Sequence, residues 1–134
     1  MHHVQLIYSS QPFGFDEAIL NGILLDARRC NNRDGITGAL VCRRDIYLQL
    51  LEGPDSEVQS AFNRIIRDDR HVNIQKLLCR PVTDRLFAAW DMFHDPAQSF
   101  HWTGEQISEG VLDNANEDDV LNVFIELAYR LDEK

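Results

Sequence analysis

The sequence predicts an α+β fold: a ferredoxin-like β-α-β-β-α-β sandwich with an added fifth strand, two helices on one sheet face, and a C-terminal helical extension. Three observations predict it. Strand-like and helix-like segments follow one another in the order β-α-β-β-α-β-β. Two of the strands are almost continuously apolar and stand only three residues apart, and one helix carries an unbroken helical period. At 134 residues the chain fits one compact domain, large enough to bury roughly two-thirds of its unfolded surface.

Val4-Gln5-Leu6-Ile7-Tyr8 alternates and predicts the first strand, with Ser9-Ser10-Gln11-Pro12 and Gly14 leaving it as a loop. Asp16 offers an N-cap to a helix that carries Ile19, Ile23 and Ala27 on one face, with Leu20 and Leu24 beside them. Gly22 weakens that helix, by up to about 1 kcal/mol. The polar tract from Arg28 to Asp34 is expected to end it, ahead of Gly35.

Ile36 to Cys42 and Ile46 to Glu52 flank Arg43-Arg44-Asp45, a connection of hairpin length. Their apolar runs suit central strands covered on at least one face. Gly53-Pro54 stops the second run, and Ser56-x-x-Gln59 has the spacing of a capping box. The helix it opens places Val58, Ala61, Phe62, Ile65 and Ile66 on one stripe. Asn73 to Val82 predicts a strand interrupted by Gln75 and Lys76, and Ala88 to Phe93 a further one with Trp90 and Met92 on the same face.

Beyond His94 the residues turn small and polar as far as Asn116. Glu117-Asp118-Asp119 then starts a last helix, its acidic residues suited to the positive end of the helix dipole. Its stripe is Val120, Leu121, Phe124, Ala128 and Leu131. Residues 1–94 are expected to form the main unit and 95–134 a C-terminal helical extension packed on the outer sheet face.

Net charge is −9, with 13 basic and 22 acidic residues. That sign repels phosphate backbones and argues against direct nucleic-acid binding. Arg28, Arg29, Arg33, Arg43 and Arg44 gather around one strand and read as a solvated face. Cys30, Cys42 and Cys79 are odd in number and lack metal-ligand spacing, and the five histidines form no HxxxH pair. The reading is reduced thiols, no metal site and a cytoplasmic location. No apolar run approaches the ~20 residues of a membrane span, and no signal-peptide pattern opens the chain.

One residue is out of place. Gln49 interrupts the run Ile46-Tyr47-Leu48-Gln49-Leu50-Leu51, and a buried amide left without partners costs roughly 1–3 kcal/mol per group. Something beside it has to satisfy it.

The segments Leu6–Ser10 (LIYSS), Asn31–Leu40 (NNRDGITGAL), Tyr47–Pro54 (YLQLLEGP), Arg67–His71 (RDDRH) and Trp90–Met92 (WDM), in that order, resemble the BLUF family of blue-light sensors that use FAD. The resemblance covers about residues 3–94 and implies that residues 1–94 form a flavin-binding photosensory domain. It implies oxidised, non-covalent FAD between the two helices, with Ile23 and Ile65 as aliphatic walls, Asn31 and Asn32 at the polar edge of the ring, and Arg64 and Asp68 nearby. Tyr8 and Gln49 match the family's photoactive pair: light drives electron and proton transfer from Tyr8 to the flavin and back, leaving the Gln49 hydrogen bonds rearranged. Trp90 and Met92 match residues that carry the signal across the sheet. The chain departs from the family pattern at Ala27, where many relatives have serine, and at Cys30, where others have a polar residue at the flavin edge.

Taken singly, each residue has a plainer explanation. Ile23, Ile65, Trp90 and Met92 would be core, Asn31 and Asn32 helix-end residues, and Arg64 with Asp68 a surface ion pair worth ~0.3–0.5 kcal/mol. Their joint order favours the resemblance. The expectation is a non-enzymatic photoreceptor whose altered surface is read by a separate signalling protein or by self-association as a homo-oligomer, with no membrane partner. The alternatives are a small acyl-phosphate hydrolase on a similar sandwich, for which a Gly-rich loop after the first strand is missing, and a flavin-free regulatory domain.

Overall fold

The computed structural model describes residues 3–12, 17–43, 46–68, 70–88, 92–95 and 116–132. In chain order the elements are β1 (His3–Pro12), α1 (Glu17–Asp34), β2 (Thr37–Arg43), β3 (Ile46–Pro54), α2 (Asp55–Ile66), β4 (His71–Val82), β5 (Phe93–Asp95) and α3 (Glu117–Asp132). The strands form one sheet in the order β4-β1-β3-β2-β5. The first four pair antiparallel and β5 joins β2 in parallel. Because β3 lies between β1 and β2, the β1-α1-β2 unit is split, as the ferredoxin-like order requires.

The pleat sorts the apolar residues into two cores. Leu6, Tyr8, Leu40, Tyr47 and Leu51 meet Leu20 and Leu24 of α1 and Val58, Ala61 and Phe62 of α2. Ile7, Ala39, Val41, Leu48 and Leu50 form the other cluster with Val120, Val123, Phe124 and Leu127 of α3. β3 is thus covered on both faces and buried from Ile46 to Gly53, which explains its nearly unbroken apolar run. Gly38 lets β2 lie close to this strand, since a Cβ there would run into the Leu50 carbonyl oxygen.

Several boundaries differ from expectation, each for a local reason. β1 continues through Ser9 and Ser10 to Pro12, because both serines pair with β3 and the Ser10 hydroxyl lies 2.7 Å from His71 Nδ1. α1 runs on through the polar tract to Asp34. It ends where Gly35 turns into the left-handed region (φ 71°) and the Ile36 N–H donates to the Asn31 carbonyl at 2.9 Å, the bond pattern of a Schellman motif.

The expected capping box does not form. α2 begins at Asp55 straight after Pro54, without a side-chain cap, and Gln59 Nε2 donates to Asp55 Oδ1 at 3.2 Å. Asp55 and Glu57 occupy the positive end of the helix. β4 starts two residues early, at His71, and takes up a register shift against β1. Asn73 there adopts φ 55°, a conformation Asn tolerates, and donates to Gln11 Oε1 at 2.6 Å.

The fifth strand begins at Phe93 instead of Ala88. Ala88 lies in a turn, and the Met92 carbonyl accepts from Arg28 Nε at 3.1 Å rather than from a neighbouring strand. α3 starts at Glu117, where Asn116 Oδ1 accepts the Asp119 N–H at 2.8 Å. The expected Asp16 cap and the hairpin residues Arg44 and Asp45 lie outside the described residues.

Candidate functional site

The sheet register places Tyr8 of β1 opposite Gln49 of β3, with Leu40 of β2 on the other side of Gln49. Tyr8 and Gln49 are each 4% exposed. The Tyr8 hydroxyl donates to Gln49 Oε1. At the other end of the amide, Gln49 Nε2 donates to the Met92 sulfur at 3.3 Å. A thioether is a weak acceptor, so the amide N–H groups lack a strong one among the described residues. Burial pushes the Tyr8 phenol well above the ordinary tyrosine range, with the negative charge of Asp68 adding to it, so Tyr8 is a neutral donor.

Above this pair, between α1 and α2, is a cavity of about 230 Å³. Tyr8, Tyr47 and Gln49 form its floor, Ile23 and Ala27 one wall, and Ala61 and Ile65 the other. Asn31, Arg64, Asp68 and Arg70 supply the polar lining. Phe62 supports Tyr8 from behind, its ring centroid 5.6 Å away. Two apolar walls with a polar margin suit a flat ligand with apolar faces and a hydrogen-bonding edge.

Ion pairs tie the margin together. Arg70 Nε donates to Asp68 Oδ1 at 2.9 Å, and its Nη1 reaches Asp26 of α1 at 3.1 Å. Arg64 Nη2 lies 3.8 Å from Asp34 Oδ2. The Arg70 side chain beside Asp68 holds that carboxyl below the ordinary aspartate range. Arg64 and Asp68 both line the cavity, and instead of the surface ion pair of the plainer reading, Arg64 faces Asp34 and Asp68 is held by Arg70.

Of the residues singled out from sequence, Tyr8, Ile23, Asn31, Gln49, Arg64, Ile65 and Asp68 all line this one cavity. Asn31 is buried, whereas Asn32 is exposed and does not line it. Met92 is buried against Gln49. Trp90 lies outside the described residues.

Sequence reasoning missed Tyr47, Asp26, Arg70 and His71. Tyr47 was legible in principle, standing two residues before Gln49 and so on the same face. His71 bridges Ser10 Oγ (2.7 Å) and the Ile65 carbonyl (3.0 Å). Since a carbonyl only accepts, Nε2 carries the proton in that bond. Among the described residues no cluster of metal-ligating side chains is found, and no helix is long and apolar enough to cross a membrane.

The family model described as "BLUF: Sensors of blue-light using FAD" matches residues 3–93. The chain is 39% identical over 61 residues to the blue light- and temperature-regulated antirepressor BluF of Escherichia coli (strain K12), a match covering 46% of this chain and 15% of that protein. It is 32% identical over 68 residues to the photoactivated adenylate cyclase subunit beta of Euglena gracilis, covering 51% of this chain and 8% of that protein. The chain thus spans only a small part of these curated relatives.

Two solved structures are matched over nearly their whole length. The dark state of BlrB, described as a BLUF protein, superposes with a TM-score of 0.81 at 28% identity, covering 96% of this chain and 97% of that one. The photo-activated state of BlsA gives 0.76 at 27% identity, covering 94% of each.

Proposed function

The chain belongs to the BLUF family of blue-light sensors using FAD, and from that premise we propose that Tyr8 and Gln49 form its light-responsive pair, on the floor of the flavin cavity. The hydrogen bond from the Tyr8 hydroxyl to Gln49 Oε1, beneath a cavity with apolar walls, is the observation that carries this reading.

Bound FAD would supply the absorption of blue light and an electron acceptor; Tyr8, a buried neutral phenol hydrogen-bonded to Gln49, would be the residue beside it able to give up and regain an electron and a proton. Ile23 and Ile65, on the two apolar walls, would hold the ring, and Asn31, Asp68 and Arg64, in the polar lining, would serve its hydrogen-bonding edge. The cavity is smaller than the ~300–1,000 Å³ that encloses a whole drug-sized ligand. A ring system would fit it, and Arg29 and Arg64 in its lining would supply positive charge to the phosphate-bearing rest of the cofactor.

Gln49 is the element with two states. Its oxygen and nitrogen ends have nearly the same size, so exchanging them alters hydrogen bonding without altering shape, and two arrangements can differ by only a few kcal/mol. In one arrangement the amide oxygen faces Tyr8 and the nitrogen faces Met92. In the other, Met92 loses its donor. The sulfur contact is weak, so its loss opposes the exchange little, and the Tyr8 hydroxyl, which both donates and accepts, can meet either end of the amide.

The output is sensory rather than catalytic. Residues 1–94 act as the photosensory unit and 95–134 as an extension that offers a surface to a separate cytoplasmic signalling protein or to a second copy. The E. coli relative, by its name an antirepressor, supports a protein partner.

The test is the absorption spectrum of the FAD-loaded protein before and after blue illumination. The flavin band is expected to shift reversibly to the red and to recover in the dark. A yellow protein with an unmoving band would contradict the proposal.

A further inference from the structure

β4 and β5 lie at opposite edges of the sheet, so the chain between them has to pass from one edge to the other. Its described part, Thr83–Ala88, is anchored midway, on the central strand. The anchor is Glu52, fully buried on the sheet face that α3 covers. Its Oε2 accepts the Leu86 N–H at 2.8 Å and its Oε1 the Phe87 N–H at 2.9 Å. Gln5 Nε2, cross-strand on β1, donates to the same Oε2 at 2.8 Å.

A buried carboxylate is costly unless both oxygens are served, and bonds to its charge are roughly twice as strong as neutral ones. Here all three donors are either backbone amides outside the ladders or a neighbouring side chain. Next in line, Phe87 is buried and meets Phe124 of α3 edge-on, with centroids 6.4 Å apart. Further along the same crossover, Met92 reaches the opposite face and touches Gln49. The crossover is therefore held to β3 by two side chains three residues apart, Gln49 on one face and Glu52 on the other.

We propose that Glu52 is a positioning residue that clamps this crossover to the strand carrying Gln49, and that through Phe87 it makes the docking of α3 depend on the Gln49–Met92 contact. The second half rests on the reading of Gln49 as light-responsive. Arg85 Nη1 to Thr37 Oγ1 (3.2 Å) and Arg28 Nε to the Met92 carbonyl (3.1 Å) also tie the crossover down, but only Glu52 bonds the Leu86 and Phe87 amides, so a shift of the crossover at Met92 is passed to Phe87 and α3 through that clamp.

Residue-resolved hydrogen exchange on the FAD-loaded protein tests both halves. In the dark, the Leu86 and Phe87 amides should be protected like those of the strands, although they lie in a connection. Blue light should lower protection at both amides and across residues 120–128 together. Glu52→Gln puts an N–H where a backbone N–H needs an acceptor. It should raise dark exchange across residues 120–128 about tenfold, the population change expected for one lost charge-assisted bond, while the flavin red shift persists.

Unprotected Leu86 and Phe87 amides in the wild-type protein overturn the clamp, whether or not the variant folds. A normal red shift with no light response in α3 overturns the coupling and leaves the photosensor reading intact. Absence of any red shift removes the photosensor reading and with it the coupling, while the dark measurement still decides the clamp.

Discussion

Tyr8 and Gln49 stand directly opposite each other in the antiparallel β1–β3 register, and the phenol donates to the amide oxygen in a buried setting. The relationship is set by backbone pairing, which places both side chains on the same sheet face beside the cavity. Replacing Tyr8 by Phe keeps the ring packing on Phe62 but removes the donor and the electron source. Tyr8→Phe should still bind FAD and lose the light-induced red shift, measured by absorption before and after illumination. A wild-type shift in this variant would contradict the pair's assignment.

Two glycines should respond to alanine with opposite signs. A Cβ on Gly38 would strike the Leu50 carbonyl oxygen, which belongs to the central strand and cannot move aside. Gly38→Ala should destabilise by about 1–3 kcal/mol. A Cβ on Gly22 would meet Arg70 Nη1 at 3.5 Å, an ordinary contact with a flexible side chain. Gly22→Ala in the middle of α1 should stabilise by up to about 1 kcal/mol. Denaturant unfolding of the two variants decides both.

The Asp68 carboxyl is held below its ordinary range first by its hydrogen bonds from the Arg70 side chain. A depressed carboxylate stabilises the fold above its unfolded pKa of about 3.9 and loses that contribution as pH falls through the folded value. The stability difference between the FAD-free protein and Asp68→Asn should hold steady from neutral pH down to about pH 4 and then shrink. Its size should be roughly 1 kcal/mol, because the pair is partly solvent-screened. Unfolding followed across pH 2–7 checks this; a difference that grows on acidification would contradict it.

Removing the cofactor should cost stability. Ile23 and Ile65 are only partly buried without it, and the buried Gln49 amide has a thioether where a stronger acceptor belongs. FAD at a hundred times its dissociation constant should stabilise by about 2.7 kcal/mol. Melting curves with and without added FAD should separate accordingly, and identical curves would argue against binding in this cavity.

The legible parts of the fold were those with unbroken periodicity. β2 and β3 lie where apolar spacing places them, and α3 starts at its acidic cluster; the α2 stripe is buried at Val58, Ala61 and Phe62, but Ile66, expected on it at the helix end, is 50% exposed. Boundaries were lost where polar residues find tertiary partners. Ser9 and Ser10 read as a loop, yet Ser10 is held by His71, sixty-one residues away. The tract from Arg28 to Asp34 read as a helix end, yet Arg28 bonds the Met92 carbonyl and Asn31 is buried.

The site divides in the same way. Tyr8, Gln49, Ile23 and Ile65 were legible through the resemblance to the BLUF family, and the strand and helix periods agree with it by placing them along one cavity. The partners of Arg64 and Asp68 were not, because helical spacing favours i and i+4 while the folded chain brings Asp34 and Arg70 closer. Glu52 and His71 carried no local signal. Each is explained only by atoms brought to it from more than one other element.

The most direct measurement is the light-minus-dark infrared difference spectrum of FAD-loaded protein with isotope-labelled glutamine, compared with Gln49→Leu. The account predicts a glutamine side-chain carbonyl band that moves on blue illumination, recovers in the dark, and is missing in the variant. A flavin red shift with no label-sensitive band, or the same band in Gln49→Leu, would contradict it.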